Sequence, residues 1–144
     1  MKLSTRTRYG VRALLELAEH EGEGPIQLKR IAETQDISVK YLEQLISILK
    51  ASGLVRSVRG AKGGYLLARE SDKIRLSEAF TALEGPVVTA ECVDNEHFCE
   101  RTGDCAARIV WEKVQKAVLE ILDSMTLADM MELAKNHNNF NYQI

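Results

Sequence analysis

Apolar residues recur every three or four positions along most of this chain, and two short stretches break the rhythm. In residues 5–20, Leu14, Leu17 and Ala18 fall at i, i+3 and i+4, beside Tyr9, Val11 and Leu15. That spacing predicts an amphipathic helix. Gly22, Gly24 and Pro25 end it. A short helix through Leu28, Ile31 and Ala32 is expected next, then a turn over 34–38. In residues 39–52, Leu42, Leu45, Ile46 and Leu49 repeat the helical spacing over two turns. Ser38 is placed to cap that helix with its hydroxyl, and Gly53 stands just past its end.

The rhythm then changes. "LVRSV" (54–58) and "GYLLA" (64–68) are short β-prone runs joined by "RGAKG". Two such runs around a glycine-rich joint predict a hairpin. The joint is not a phosphate-binding P-loop, because no Lys-Ser/Thr pair opens a helix after it. Beyond Ser77 a short helix passes through Ala79, Phe80 and Leu83, and Gly85 and Pro86 break it. A polar segment, "ECVDNEHFCERTGDC", precedes the longest apolar period of the chain: Val110, Trp111, Val114, Ala117, Val118, Ile121, Leu122 and Met125. This predicts one helix over 106–124. A short amphipathic turn at 126–135 and a flexible Asn-rich tail at 136–144 close the chain.

The expected architecture is mainly α with a small β wing. Helix, helix, tight turn, helix and hairpin is the order of a winged helix-turn-helix. The organisation predicted is a DNA-binding region over 1–76, a linking helix and cysteine loop over 77–105, a dimerisation helix and turn over 106–135, and the tail. The apolar positions of the long helix cover more than one stripe, so a second copy is expected against it. A two-fold dimer implies a palindromic operator on double-stranded DNA.

Charge supports that reading. The net charge is −2, but residues 1–76 hold 14 Lys+Arg against 9 Asp+Glu, whereas 77–144 hold 5 against 12. A basic half is expected to meet a polyanion. On the helix after Ser38, Lys40, Tyr41, Glu43 and Gln44 are candidates for DNA contact. Gln44 can pair with adenine and Glu43 can accept from cytosine N4. Tyr41 either meets phosphate or packs on the core. In the hairpin tip, Arg59 and Lys62 suit phosphates or the minor groove. No apolar run reaches the length of a membrane span and the N-terminus lacks a secretory pattern, so the expected location is cytoplasmic. His20, His97 and His137 have no nucleophile–base context, so no enzyme is expected.

All three cysteines, Cys92, Cys99 and Cys105, fall in the polar segment, spaced C-x6-C-x5-C. Structural cysteines usually scatter through apolar cores. Three in one loop suit a thiophilic metal or an iron–sulfur cluster, and a thiol redox switch is the other option.

Together "MKLSTRTRYGVRALLELA", "ISVKYLEQLISILKASGLVRSVRGAKGGYLLAR" and the three-cysteine loop before a long helix resemble the IscR/NsrR family of bacterial iron–sulfur transcription regulators. The resemblance implies a winged-helix homodimer whose cluster, 2Fe–2S in preference to 4Fe–4S, alters DNA binding by its state; redox sensing is the expected trigger, and repressor or activator stays open. It makes Cys92, Cys99 and Cys105 the expected ligands and sends Arg59 into the minor groove. Where some members place a histidine ligand after the third cysteine, this chain has Arg108. Where others place an acidic ligand near the N-terminus, it reads Arg6, Thr7, Arg8. His97, Glu100 and Asp104 are the remaining candidates for a fourth ligand. The alternative is a cluster-free regulator controlled by a protein partner or by thiol redox state, since cluster-free members sense cysteine metabolism by binding an enzyme.

Overall fold

The computed structural model describes residues 2–141. Helix α1 (Thr5–Glu19) starts at Ser4, whose hydroxyl accepts from the Thr7 amide. Helix α2 (Leu28–Gln35) ends on Asp36, the only described non-glycine residue with positive φ, 52°. That left-handed residue makes the tight turn into α3 (Val39–Ala51), and Ser38 caps α3 as the sequence predicts. Strands β1 (Val55–Val58) and β2 (Gly64–Leu67) pair antiparallel, with Val55 opposite Leu67 and Val58 opposite Gly64. The order is that of the expected winged helix-turn-helix.

The wing carries a third partner that the apolar pattern does not reveal. Ile26 bridges Tyr65 through two backbone hydrogen bonds, Ile26 N to Tyr65 O at 3.0 Å and Tyr65 N to Ile26 O at 2.8 Å. Close approach explains two glycines there. A Cβ on Gly64 would lie 2.4 Å from the Ile26 oxygen, and one on Gly63 2.2 Å from the Val58 oxygen.

A single 3-10 turn at Ser71–Lys73 leads into α4 (Leu76–Glu84). A one-turn helix, α5 (Glu91–Asp94), stands at the start of the polar segment. Helix α6 (Ala106–Ser124) matches its predicted span. Helix α7 (Leu127–Asn141) is longer than the predicted turn. It continues through Asn136, where the sequence predicts a flexible tail. Thr126 and Asp129 start it by reciprocal bonds: the Thr126 amide donates to Asp129 Oδ2 at 2.8 Å, and the Asp129 amide to Thr126 Oγ1 at 3.2 Å. Once nucleated, a helix adds residues at little cost, so weak formers such as asparagine can extend it. Residues 142–144 of the predicted tail lie outside the described residues. Among the described residues no helix is long and apolar enough to cross a membrane.

One core holds the elements together and does not stop at Leu76. Leu14, Leu17, Ile31, Leu42, Leu49 and Leu54 share it with Ile74, Ala79, Leu83 and Leu127. The end of α6 is fastened to it by Leu76 N to Met125 O at 2.9 Å and Leu127 N to Ile74 O at 3.0 Å. Helices α1 and α4 meet most closely at Gly10, where a Cβ would fall 2.5 Å from Leu83 Cδ1. Beside that contact Glu84 accepts from the Ser4 hydroxyl at 2.6 Å and from the Thr7 hydroxyl. These bonds, Ser4 first, hold the Glu84 carboxyl below the ordinary carboxylate range.

Leu83 is 1% exposed and has no room to swing away. Gly10→Val is therefore expected to cost about 1–3 kcal/mol by overpacking. Urea unfolding measures this, and the loss in the Gly10→Val, Leu83→Ala double variant should be smaller than the sum of the two single losses.

Candidate functional site

Two surfaces collect the chemistry-bearing residues. The first is α3 and the wing. The buried face of α3 (Leu42, Leu45, Ile46, Leu49) fixes its rotation, so Lys40, Glu43 and Gln44 are exposed together on the outer face. No acidic residue sits in its first turn, which leaves the positive end of the helix dipole unopposed there. Arg59 and Lys62 are exposed at the hairpin tip. Gly60, at φ 113°, lets the chain reverse between them.

Tyr41 is half-buried. Its ring meets Tyr9 of α1 edge-on, with centroids 6.2 Å apart and planes at 87°. This favours the packing role of the two that the sequence leaves open, and it fits the usual aromatic geometry. Arg12 lies over Tyr9, 5.2 Å from the ring centroid. Its Nε donates to Gln35 Oε1 at 2.9 Å, and Gln35 Nε2 donates to the buried Glu16 at 3.0 Å. A polar chain from α1 thus holds the end of α2 next to the helix-turn-helix turn. Sequence reasoning misses this chain, because its members are one helical turn apart on α1 but 23 residues away at Gln35.

The second surface is the polar loop. Cys92 lies in α5, Cys105 caps the start of α6 by position, and Cys99 sits between them in a run of turns. All three are free; Cys99 is exposed and the others are half-buried. Glu96, His97, Cys99, Glu100 and Arg108 line one open cleft. Asp104, exposed, is not part of that lining. Among the described residues no three His, Cys, Asp or Glu side chains are grouped closely enough to hold a metal ion. The expected convergence of the three thiols is therefore not preformed. As a donor set they suit a thiophilic centre: three free thiols in one segment. Closing them around a metal requires the loop to move.

Helix α6 follows directly. Every one of its residues is at least partly exposed, and Ile109, Val110, Trp111, Val114, Leu119 and Ile121 each present substantial apolar surface. Besides its packing on α4 and α5, it is held by polar contacts: Thr89 donates to the Trp111 oxygen at 2.9 Å and to Gln115 Oε1 at 3.0 Å, Arg75 donates to the Asp123 oxygen, and Arg108 of the helix donates to the Cys92 oxygen.

A family profile described as "Iron-dependent Transcriptional regulator", that of Rrf2, matches residues 3–133. CymR of Bacillus subtilis is 45% identical over 130 residues, spanning 90% of this chain and 89% of its own. A solved structure titled as CymR, "the Global Cysteine Regulator of B. subtilis", superposes with a TM-score of 0.81 at 44% identity, covering 92% of this chain and 98% of that one. The protein rrf2 of Nitratidesulfovibrio vulgaris is 44% identical over 131 residues, 91% of this chain and 87% of its own. The structure of T. potens IscR superposes with a TM-score of 0.77 at 48% identity, covering 93% and 88%. These relatives are transcription regulators and not enzymes. Matched along most of its length by the profile and by relatives of this identity, the chain belongs to the Rrf2 family of DNA-binding transcriptional regulators.

Proposed function

We propose that this protein is a dimeric transcription regulator whose operator binding responds to an iron–sulfur cluster held by Cys92, Cys99 and Cys105. The observation that carries the reading is the placement of three free thiols in one polar loop at the head of a helix that leaves a row of apolar side chains exposed. The family description, which names iron, and the likeness to a protein titled IscR support it. When bound, the cluster supplies a link between three points of the loop that is lost with its iron. His97 and Glu100, which share a cleft with Cys99, and Asp104 are the side chains available for a fourth position.

The chain's own residues do the rest. In this reading α3 enters the major groove, with Gln44 reading adenine and Glu43 cytosine N4. Lys40 and Lys62 neutralise phosphates, and Arg59 enters the minor groove. The exposed row on α6 covers itself with the same row of a second copy, which sets two copies of α3 against a palindromic site. The loop is continuous with α6, and the far end of α6 is fastened to the core through Leu76 and Leu127. Ordering the loop therefore acts on the helix that spaces the two readers. A ligand shifts such an equilibrium only by its preference for one arrangement.

Free, accessible thiols also support a second reading, in which the cysteines respond by oxidation and no cluster forms. A relative titled as a cysteine regulator favours it. Anaerobic purification with iron and sulfide counts and an absorption spectrum separates the two. The cluster reading expects stoichiometric iron and sulfide in wild type, and their loss on replacing any one cysteine by Ala. Each replacement should also change operator affinity several-fold at one salt concentration, with the fold intact. Iron-free wild type after anaerobic reconstitution would overturn it.

Sedimentation of the wild type at micromolar concentration should show a dimer, and a clean monomer would remove the role given to α6.

DNA contacts divide into positioning and reading. Lys62→Ala should weaken binding to all sequences alike and flatten the salt dependence. Gln44→Ala should cost about 1–3 kcal/mol at a single base position. Titrations on an operator panel at several salt concentrations measure both, and equal, uniform losses would refute the division.

A further inference from the structure

Arg108 touches or adjoins all three cysteine-bearing segments. It stands in the first turn of α6, three residues after Cys105. Its Nε donates to the backbone oxygen of Cys92 at 2.9 Å. Its Nη1 pairs with Glu112 at 2.8 Å, and the side chain is only 16% exposed. It also lines the cleft that holds Cys99.

Helix α5 needs such a contact. One turn of helix cannot sustain itself in water. It is closed by the Asn95 amide donating to the Glu91 oxygen at 2.9 Å and the Val93 amide to the Ala90 oxygen at 3.0 Å. The Cys92 oxygen is one of the end carbonyls that no bond within α5 satisfies, and Arg108 satisfies it from α6. The guanidinium fork matters here. It reaches the carbonyl with one edge while Glu112 holds the other, which a lysine cannot reproduce. Charge adds a second reason. Residues 91–105 carry Glu91, Asp94, Glu96, Glu100 and Asp104 against the single cation Arg101. Three thiolates gathered in that segment would add to its negative charge, and Arg108 is a largely buried cation that touches its backbone at Cys92.

We propose that Arg108 is a positioning residue for the three-cysteine centre. It fastens the Cys92 helix to α6 in the metal-free protein and leaves the Cys99 segment as the part that moves when the centre closes. This role rests on the cluster reading above. The clasp itself does not, and it is visible without any metal.

The test uses the full chain in wild-type, Arg108→Ala, Arg108→Lys and Glu112→Gln forms. In metal-free protein, amide exchange across residues 91–95 is expected to quicken about five-fold in Arg108→Ala, the scale of one lost hydrogen bond. Arg108→Lys and Glu112→Gln should fall between it and wild type. Exchange in α3 should not change, which confirms that each variant is folded. After anaerobic reconstitution with iron and sulfide, cluster absorbance under a chelator should decay several-fold faster in Arg108→Ala, with Arg108→Lys intermediate. Unchanged exchange at 91–95 would overturn the clasp whether or not a cluster forms. Faster exchange with unchanged chelator decay would overturn its role toward the centre. Wild type that takes up no cluster would remove the centre and that role together, while the exchange result would still decide the clasp.

Discussion

The close approach of α1 and α4 at Gly10 is the constraint on which the other placements depend. With a side chain at that position the two helices could not seat Leu83 between them. Because they do, Glu84 reaches the Ser4 and Thr7 hydroxyls, and Arg6 Nε donates to the Leu83 oxygen at 2.6 Å. Helix α1 then becomes the common wall of the molecule. Ala13, Leu14 and Leu17 face the core, Tyr9 meets α3, and Arg12 holds the end of α2. The exposed side chains of α3 and the turn at the end of α2 are thus referred to one helix.

Much of this was legible where burial imposes a period. The α3 face, its Ser38 cap and the span of α6 follow from apolar spacing alone, because a helix that buries one stripe must repeat it. Single contacts leave no period. The Ile26–Tyr65 bridge is one residue long and joins segments 39 residues apart, so nothing in "EGEGPI" announces a strand. Helix α5 is shorter than two turns and shows no repeat. At 136–141 propensity misleads: asparagines favour turns in isolation, but a helix already begun at Thr126 and anchored by the fully buried Leu127 carries them.

The cysteine loop divides in the same way. Spacing and clustering in the sequence single out Cys92, Cys99 and Cys105, because polar segments seldom collect every cysteine of a chain. The placement of Cys92 is not legible, since its turn is held by a contact between a backbone oxygen and a side chain 16 residues later. The signal that could have found Arg108 was modest: a basic residue in the first turn of α6, where the helix dipole disfavours it, paired at i+4 with Glu112. A cation placed against the dipole needs another reason to be there, and the Cys92 carbonyl supplies one.

The anchoring of α6 explains why a loop so poor in apolar residues matters. The C-terminal end of α6 is tied to the core by the backbone bonds around Leu76 and Leu127 and by Arg75 at the Asp123 oxygen. Nearer its N-terminal end it is held by Thr89, by the Arg108 contact and by little apolar burial. A helix fixed firmly at one end and lightly at the other responds to small forces at the light end, because local opening there costs far less than global unfolding. The residues beside the light end are the three thiols. A loop with a large core of its own would hold α6 in one place whatever it bound. In the cluster reading proposed above, the low apolar content of 91–105 is therefore the physical condition under which three sulfur ligands could move the helix at all.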